Sequence, residues 1–385
     1  MRRALLTIVA ALALAALAAA PAQAAKRKVP HGFYGAIWAD PIVDAPPAER
    51  EPAWDRLAEA GVESIRALFH WGHAQPNRGA SFDWSRTDYL VTEATQRNMK
   101  IVPTVMYAPG WAKQYPDKAQ SPPARESDYA AFVGELVKRY GPAGTFWKEH
   151  PELPKRPLRD WQIWNEPTLS DHWWRTGSWY PKEAKRYGAL LRASSRAAKK
   201  VDKGARIVMA GLTNNAWGAL HQLYKGAGVR GAFDVAAVHM FPGKWRNVAV
   251  IVKRIRAELD EHGDRKLPIW VTEMTWPAAE GRAPTPDWAQ SDYYRNFVTT
   301  EKGAASRLKA AYGLLGGRSF RTRNRLERVL WFSAATSYTG GWIFDYSGLM
   351  GFDGSNLSTK PSYDAFRASA RAAQGCAKSA AGSCR

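Results

Sequence analysis

Cysteine is almost absent from this chain. The 385 residues include two, Cys376 and Cys384, both near the C-terminal end, so disulfides cannot frame the body of the protein. Long apolar runs are equally scarce. The one that occurs, Leu5 to Ala20, is short for a bilayer span, and nothing after it is long enough to cross a membrane. No Gly-rich phosphate loop follows the first expected strand, where Trp38-Ala39-Asp40-Pro41 stands instead, which argues against an open dinucleotide-binding sheet. His172, His239 and His262 show no zinc-site spacing, so no metal and no other cofactor is expected. Acidic residues are few: 35 against 55 basic ones, a net charge of +20. The basic residues scatter along helical segments without a nucleic-acid motif, and no repeat or low-complexity linker divides the chain.

What is present begins with an export signal. Met1-Arg2-Arg3 is a positive n-region, the apolar stretch follows, and Ala22-Gln23-Ala24 gives the small-x-small pattern of a cleavage site. The expectation is a signal peptide over 1–24, one domain over 25–370 and a tail over 371–385. In an oxidising compartment Cys376 and Cys384 would close a small loop in that tail. β-rich runs at 33–38, 64–70, 100–107, 161–164, 206–212, 235–239, 269–272 and 329–333 alternate with helical periodicity at 54–60, 86–97, 129–140, 182–200, 248–259 and 293–315, and more weakly after Gly218. Eight strands, most followed by a helix, predict an α/β fold of the (β/α)8 or TIM-barrel type, as a single domain with aromatic-rich loops.

The longer connections follow strands, at 109–125, 167–181, 276–288 and 336–361, where a barrel builds its active face. They carry Trp111, Trp173, Trp174, Trp179, Tyr180, Trp276, Trp288 and Trp342, from a total of 18 tryptophans. Indole stacks well on the apolar C–H faces of sugars, so a cleft walled by aromatics is expected.

Two strands end in glutamate. The fourth reads Trp161-Gln162-Ile163-Trp164-Asn165-Glu166-Pro167 and the seventh Ile269-Trp270-Val271-Thr272-Glu273-Met274. A charge at the border of an apolar strand is costly unless partnered or working. Strands four and seven lie across the barrel axis, so the two carboxyl groups can converge over its centre, the arrangement that glycosidic cleavage requires.

At this point the sequence resembles a known clan. Trp164-Asn165-Glu166-Pro167 after an aromatic strand, followed far downstream by a strand-ending Glu273, is similar to the retaining (β/α)8 glycoside hydrolases, most closely family 39 and then family 5. The resemblance runs roughly from Phe33 to Phe366. It implies a secreted glycosidase that uses Glu166 as acid/base and Glu273 as nucleophile. Asn165 would hold the sugar 2-hydroxyl and Arg66, ending strand two, would keep Glu273 ionised. His239 resembles the histidine of a sixth-strand His-x-Tyr, and Trp331 the aromatic floor beneath the sugar. Trp38, Tyr107 and Trp276 complete the expected substrate-binding set. Phe241 departs from the pattern, because it replaces the tyrosine whose hydroxyl would touch the nucleophile; Tyr107 or another loop group is the expected substitute. The expected partner is a carbohydrate, with the basic surface favouring an anionic or cell-surface glycan. A transglycosylase on the same site and a barrel that binds carbohydrate without cleaving it are the alternatives.

Overall fold

The computed structural model describes residues 26–173, 177–213, 215–282, 291–338 and 341–376. The expected signal segment, Trp174, Trp288 and Cys384, and with it the expected bridge to Cys376, lie outside the described residues.

The chain runs β1 (Tyr34–Trp38), α1 (Pro47–Glu59), β2 (Ser64–His70), α2 (Trp71–Ala74), α3 (Ser85–Gln96), β3 (Lys100–Met106), α4 (Glu126–Tyr140), α5 (Thr145–Glu149) and β4 (Asp160–Ile163). It continues through α6 (Ala184–Val201), β5 (Arg206–Val208), α7 (Ala216–Ala227), β6 (Ala236–Met240), α8 (Asn247–Glu261) and β7 (Ile269–Met274). Then come α9 (Asp292–Phe297), α10 (Glu301–Gly316), α11 (Arg318–Asn324) and β8 (Leu326–Trp331). The end of the chain adds a small sheet of β9 (Ala335–Thr336), β10 (Met350–Phe352) and β11 (Leu357–Thr359) before α12 (Pro361–Gln374).

β1 to β8 form one parallel sheet in the order β5-β4-β3-β2-β1-β8-β7-β6. Two isolated parallel bridges, Val208 to Val235 and Leu212 to Val238, join its outer strands and close the barrel. The expected (β/α)8 architecture is therefore present. No helix of the described residues is long and apolar enough to cross a membrane.

β2 shows how a strand divides its duties. Ile65, Ala67 and Phe69 are buried, and Phe69 meets Tyr140 of α4 edge-on. Their alternates Ser64, Arg66, Leu68 and His70 point inward, since successive side chains leave opposite faces of a strand. α4 answers with a stripe of Tyr129, Phe132, Val133, Leu136, Val137 and Tyr140, all buried, at the three- and four-residue spacing of a helix face. Each such side chain contributes roughly 1.5–3 kcal/mol on burial. Glu126 and Asp128 in the first turn, with Lys138 and Arg139 in the last, suit the helix dipole.

Several element boundaries differ from the sequence reading: α1 begins at Pro47 rather than 54 and β5 ends at Val208 rather than 212, and three others have a visible physical setting. The helical pattern over 293–315 is broken into α9 and α10 at Val298-Thr299-Thr300, where Val298 is extended and the Thr300 side chain caps α10 by accepting from Gly303 N–H. β8 starts at Leu326 rather than 329 because Arg328 is buried inside the barrel despite its charge. α12 runs on to Gln374, past 370, and is fastened there: Gln374 Nε2 donates to Gly61 O at 2.7 Å and Lys28 N–H to Ala373 O at 2.7 Å.

Candidate active site

Arg66 organises the mouth of the barrel. Its three nitrogens donate, each at 2.6 Å, to Gln162 Oε1, Glu273 Oε1 and Asn165 Oδ1. Gln162 cannot swing away: its Oε1 also accepts from the Thr104 hydroxyl at 3.1 Å, and its Nε2 donates to Met209 O at 3.2 Å. One inward-facing guanidinium thus ties β2 to β4 and β7.

A guanidinium can only donate, so it also orients Asn165. With Oδ1 committed to Arg66, the amide Nδ2 faces His172 Nδ1 at 3.3 Å, and that ring nitrogen accepts. His172 is placed by Trp164, which is buried between Tyr129 and Trp173 and donates its indole N–H to His172 O at 2.9 Å. Trp164 and Glu166 hold left-handed backbone angles, φ of 67° and 42°, a strain typical of working segments. Those turns swing Glu166 over the barrel. Its Oε2 comes within 3.2 Å of His172 Nδ1, and its Oε1 within 2.7 Å of His239 Nδ1.

His239 is fully buried and lies between the two acids, with Nδ1 3.5 Å from Glu273 Oε2 as well. Burial first, and then the Arg66 charge, lower its pKa to about 3 against the pull of Glu273. The ring is therefore neutral, and its hydrogen belongs on Nδ1, where the carboxylate oxygens cluster. Its other edge packs on Gly211, where a Cβ would stand 1.9 Å from Nε2. Only glycine fits there.

Glu166, His239 and Glu273 present one atom each within 4.8 Å of one another. Both carboxyls have pKa values raised above the ordinary range, and in both burial is the leading cause. For Glu166, His172 and Arg66 draw it partly back. For Glu273, His239 and Arg66 pull down while Glu166 pushes up. Glu273 has a direct bond to a permanent cation; Glu166 instead faces two imidazoles.

The other expected residues are distributed unevenly. Tyr107, in a left-handed conformation at φ 62°, lies flat on His70 at 4.7 Å, and His70 on His73 at 3.6 Å. These rings, Trp38 and the inner residues Arg66 and Asn165 line a cavity of about 680 Å³ beside the ends of β1, β2 and β3. Trp38 packs on Trp54 at 4.2 Å. Trp331 and Trp276 are fully buried, with rings 6.2 Å apart and indole N–H groups bonded to Ser347 O and Pro242 O. Phe241 meets Phe297, Phe344 and the His239 ring edge-on, at 6.2, 5.1 and 6.2 Å.

The aromatic wall is thinner than the loop sequences imply. Trp173 and Trp179 are buried, and Trp173 bonds to Glu183 at 3.0 Å, so these rings fasten their loop. Trp342, 60% exposed, and Tyr180 do face solvent. Sequence reading missed His172 as a neighbour of Glu166, Gln162 as the anchor of Arg66 and Gly211 as the seat of His239. An inward polar residue two positions after the Asp160 that opens β4 is the one signal that could have flagged Gln162.

No protein-family model matches the chain, and no curated protein matches its sequence. Solved structures match its fold. A family 39 glycoside hydrolase from the gut symbiont Bacteroides cellulosilyticus WH2 is 18% identical, with 89% of this chain and 64% of that one covered at a TM-score of 0.61. A family 39 β-xylosidase from Caulobacter crescentus is 18% identical over 90% of this chain and 72% of its own, TM-score 0.58. A family 51 α-L-arabinofuranosidase from Bifidobacterium longum is 10% identical over 90% and 74%, TM-score 0.60. The chain thus shares the barrel fold of these glycoside hydrolases and spans under two thirds of the length of the first of them.

Proposed function

We propose that this protein is a retaining glycoside hydrolase, with Glu273 as nucleophile and Glu166 as general acid and base. The observation that carries this is the pair of buried carboxyls, Glu166 just past β4 and Glu273 on β7, each with an oxygen within 4.8 Å of the other. Retaining enzymes hold their carboxyls about 5–5.5 Å apart, and inverting enzymes about 6.5–9.5 Å, to admit a water.

The partners divide the roles. Glu273, bonded to Arg66, is the ionised member and attacks the anomeric carbon as its bond to the leaving oxygen breaks. Glu166 Oε2 faces the accepting nitrogen of His172, and its Oε1 accepts from His239. Burial also favours the neutral acid. Glu166 therefore starts protonated and delivers that proton to the leaving oxygen. Water then attacks the glycosyl-enzyme, Glu166 takes up its proton, and Glu273 departs as carboxylate. Asn165, held by Arg66, is the residue that bonds the sugar 2-hydroxyl in this reading.

The substrate class is a β-linked oligo- or polysaccharide. Among the structural neighbours are proteins described as a β-xylosidase, a glucosidase and an exo-β-1,4-mannosidase. The net charge of +20 supports an anionic or cell-surface glycan, and the N-terminal signal pattern supports export. The test has two stages. A panel of defined neutral and uronate-containing glycans is assayed for new reducing ends. The first product from an active substrate is then followed by proton NMR. Retained anomeric configuration is expected; inversion overturns the mechanism, and no hydrolysis across the panel overturns the activity.

A further inference from the structure

We propose that His221, Glu258 and His262 form a binding site for a divalent transition-metal ion of the zinc class on the outside of the barrel, independently of the glycosidase reading. His221 stands on α7; Glu258 lies one turn before His262, which caps the C-terminal end of α8. The three residues bring one donor atom each within 4.8 Å of one another. Helices of such a barrel run against the strands, so the cap of α8 lies toward the pole opposite Glu166 and Glu273.

The donor set is two imidazoles and a carboxylate, which suits zinc and its neighbours and leaves a fourth position for water. His262 is prepared for the role. Its Nδ1 lies 3.1 Å from the backbone oxygen of Glu258. A carbonyl only accepts, so Nδ1 carries the hydrogen and Nε2 keeps a free lone pair. Metal-binding histidines are commonly fixed through the remote nitrogen in this way. The ring also lies against Tyr224 at 4.4 Å, and the Tyr224 hydroxyl is anchored to Asp264 at 2.5 Å. His221 Nδ1 meets Glu258 Oε2 at 3.1 Å. A plain ion pair accounts for that contact alone. It does not account for a third donor, the His262 imidazole, converging on it with its tautomer set. Side-chain exposures of 33% for His221 and 18% for Glu258 leave the cluster reachable by an ion from solvent.

The described residues hold a second such cluster, Glu166, His239 and Glu273. Arg66, 2.6 Å from Glu273, repels a cation there, which favours the α7–α8 site.

The experiment uses the full-length protein stripped with a chelator. Zinc chloride is titrated by calorimetry, and cobalt(II) by its visible absorption, into wild type, Glu258→Gln, His262→Gln and His221→Gln, with circular dichroism as a check of folding. Wild type is expected to bind one equivalent and to gain thermal stability with zinc. Each variant should bind on the order of 10- to 100-fold more weakly, the loss typical even of outer partners of a metal site, and show no zinc-dependent rise in Tm. If one variant fails to fold, the remaining two decide. No binding to wild type, or equal binding to the folded variants, overturns the proposal. Glu273→Gln is titrated beside them, and binding abolished only there overturns the proposal too, since the ion then sits at the barrel mouth.

Discussion

Two arginines point into this barrel and are buried alike, Arg66 at 5% exposure and Arg328 at 4%. Their surroundings differ. Arg66, at the mouth, has acceptors on all three nitrogens at 2.6 Å. Arg328, at the floor, rests its guanidinium 3.8 Å above Trp270 and reaches Asp160 only at 3.7 Å. Its Nε and Nη1 have no hydrogen-bond partner among the described residues, and burial lowers its pKa to about 10. Desolvation is comparable; what it achieves is not. At the floor a cation packs against a ring and plugs the barrel. At the mouth the same group fixes an amide, a carboxylate and, through them, the proton on a second carboxyl. Burial alone does not mark a functional charge; full, directional partnering does.

The largest test of this contrast lies in the carboxyls. Glu273→Gln is expected to reduce hydrolysis below detection while carbohydrate binding, followed by calorimetry, survives. Glu166→Ala should lose on the order of 10² to 10⁴ in rate on sugar leaving groups. On an activated aryl glycoside it should still form the glycosyl-enzyme, seen as a burst of phenol before a slow steady state. Equal loss on both substrates without a burst would return Glu166 to a structural role.

Next come the arginines themselves. Arg66→Met should impair both substrates, on the order of 10²–10³-fold, the scale of losing one electrostatic donor in a dry site. It also leaves Glu273 buried without its cation. Arg328→Met should leave kcat/KM unchanged and Tm level or higher, because apolar replacement of an imperfectly paired buried ion is often neutral or stabilising. A fall in activity for Arg328→Met at constant Tm would erase the distinction drawn here.

A smaller effect is expected at Gly211→Ala. The added methyl meets His239 Nε2 at 1.9 Å, and overpacking of this kind costs about 1–3 kcal/mol. Denaturant melts would register the loss, and rate constants should fall with it because His239 leaves both acids. Unchanged kinetics in a stable Gly211→Ala variant would remove His239 from the catalytic network.

The mildest effect is on pH. Burial raises the pKa of both Glu273 and Glu166 above the ordinary 4.5. A raised nucleophile stays protonated to higher pH, so the acid limb of kcat/KM should lie above pH 4.5. The alkaline limb, where Glu166 loses its proton, should rise as well. Arg66→Met should move the acid limb further up, since Arg66 is one of the charges that draw Glu273 down. An acid limb that stays in place would show that another group sets it.

Much of this was legible in the chain. Strand β2 was delimited to the residue, because an apolar alternation was bounded by breakers and followed by helix periodicity. Glu166 and Glu273 stood out because charges at the ends of apolar strands are expensive. What stayed hidden depends on closure. Gln162 and Gly211 acquire their roles only when strands separated in sequence become neighbours, through Arg66 on β2 and His239 on β6; His172 lies close to Glu166 in sequence, but it meets the carboxyl only because the loop after β4 folds back. Arg328 concealed the start of β8 because its charge mimics a loop. The loop tryptophans misled in the other direction: indole frequency indicates stacking surface, yet Trp173 and Trp276 spend theirs inside.

The join between β5 and β6 has a consequence for motion. It consists of two isolated bridges, whereas β2 and β3 pair along seven positions. Five backbone hydrogen bonds cross it, donated by the N–H groups of Met209, Leu212, Asp234, Val235 and His239, so the pairing here is interrupted rather than continuous. His239 N–H donates to Leu212 O across it at 2.9 Å, and the His239 ring rests on Gly211 beside it. Breathing at the seam therefore unlatches the imidazole that spans both acids. The amide protons of Leu212 and His239 should exchange with solvent sooner than those of β2 and β3, and a ligand that clasps the mouth should slow them, so occupancy of the site would be readable in the backbone of the seam beside it.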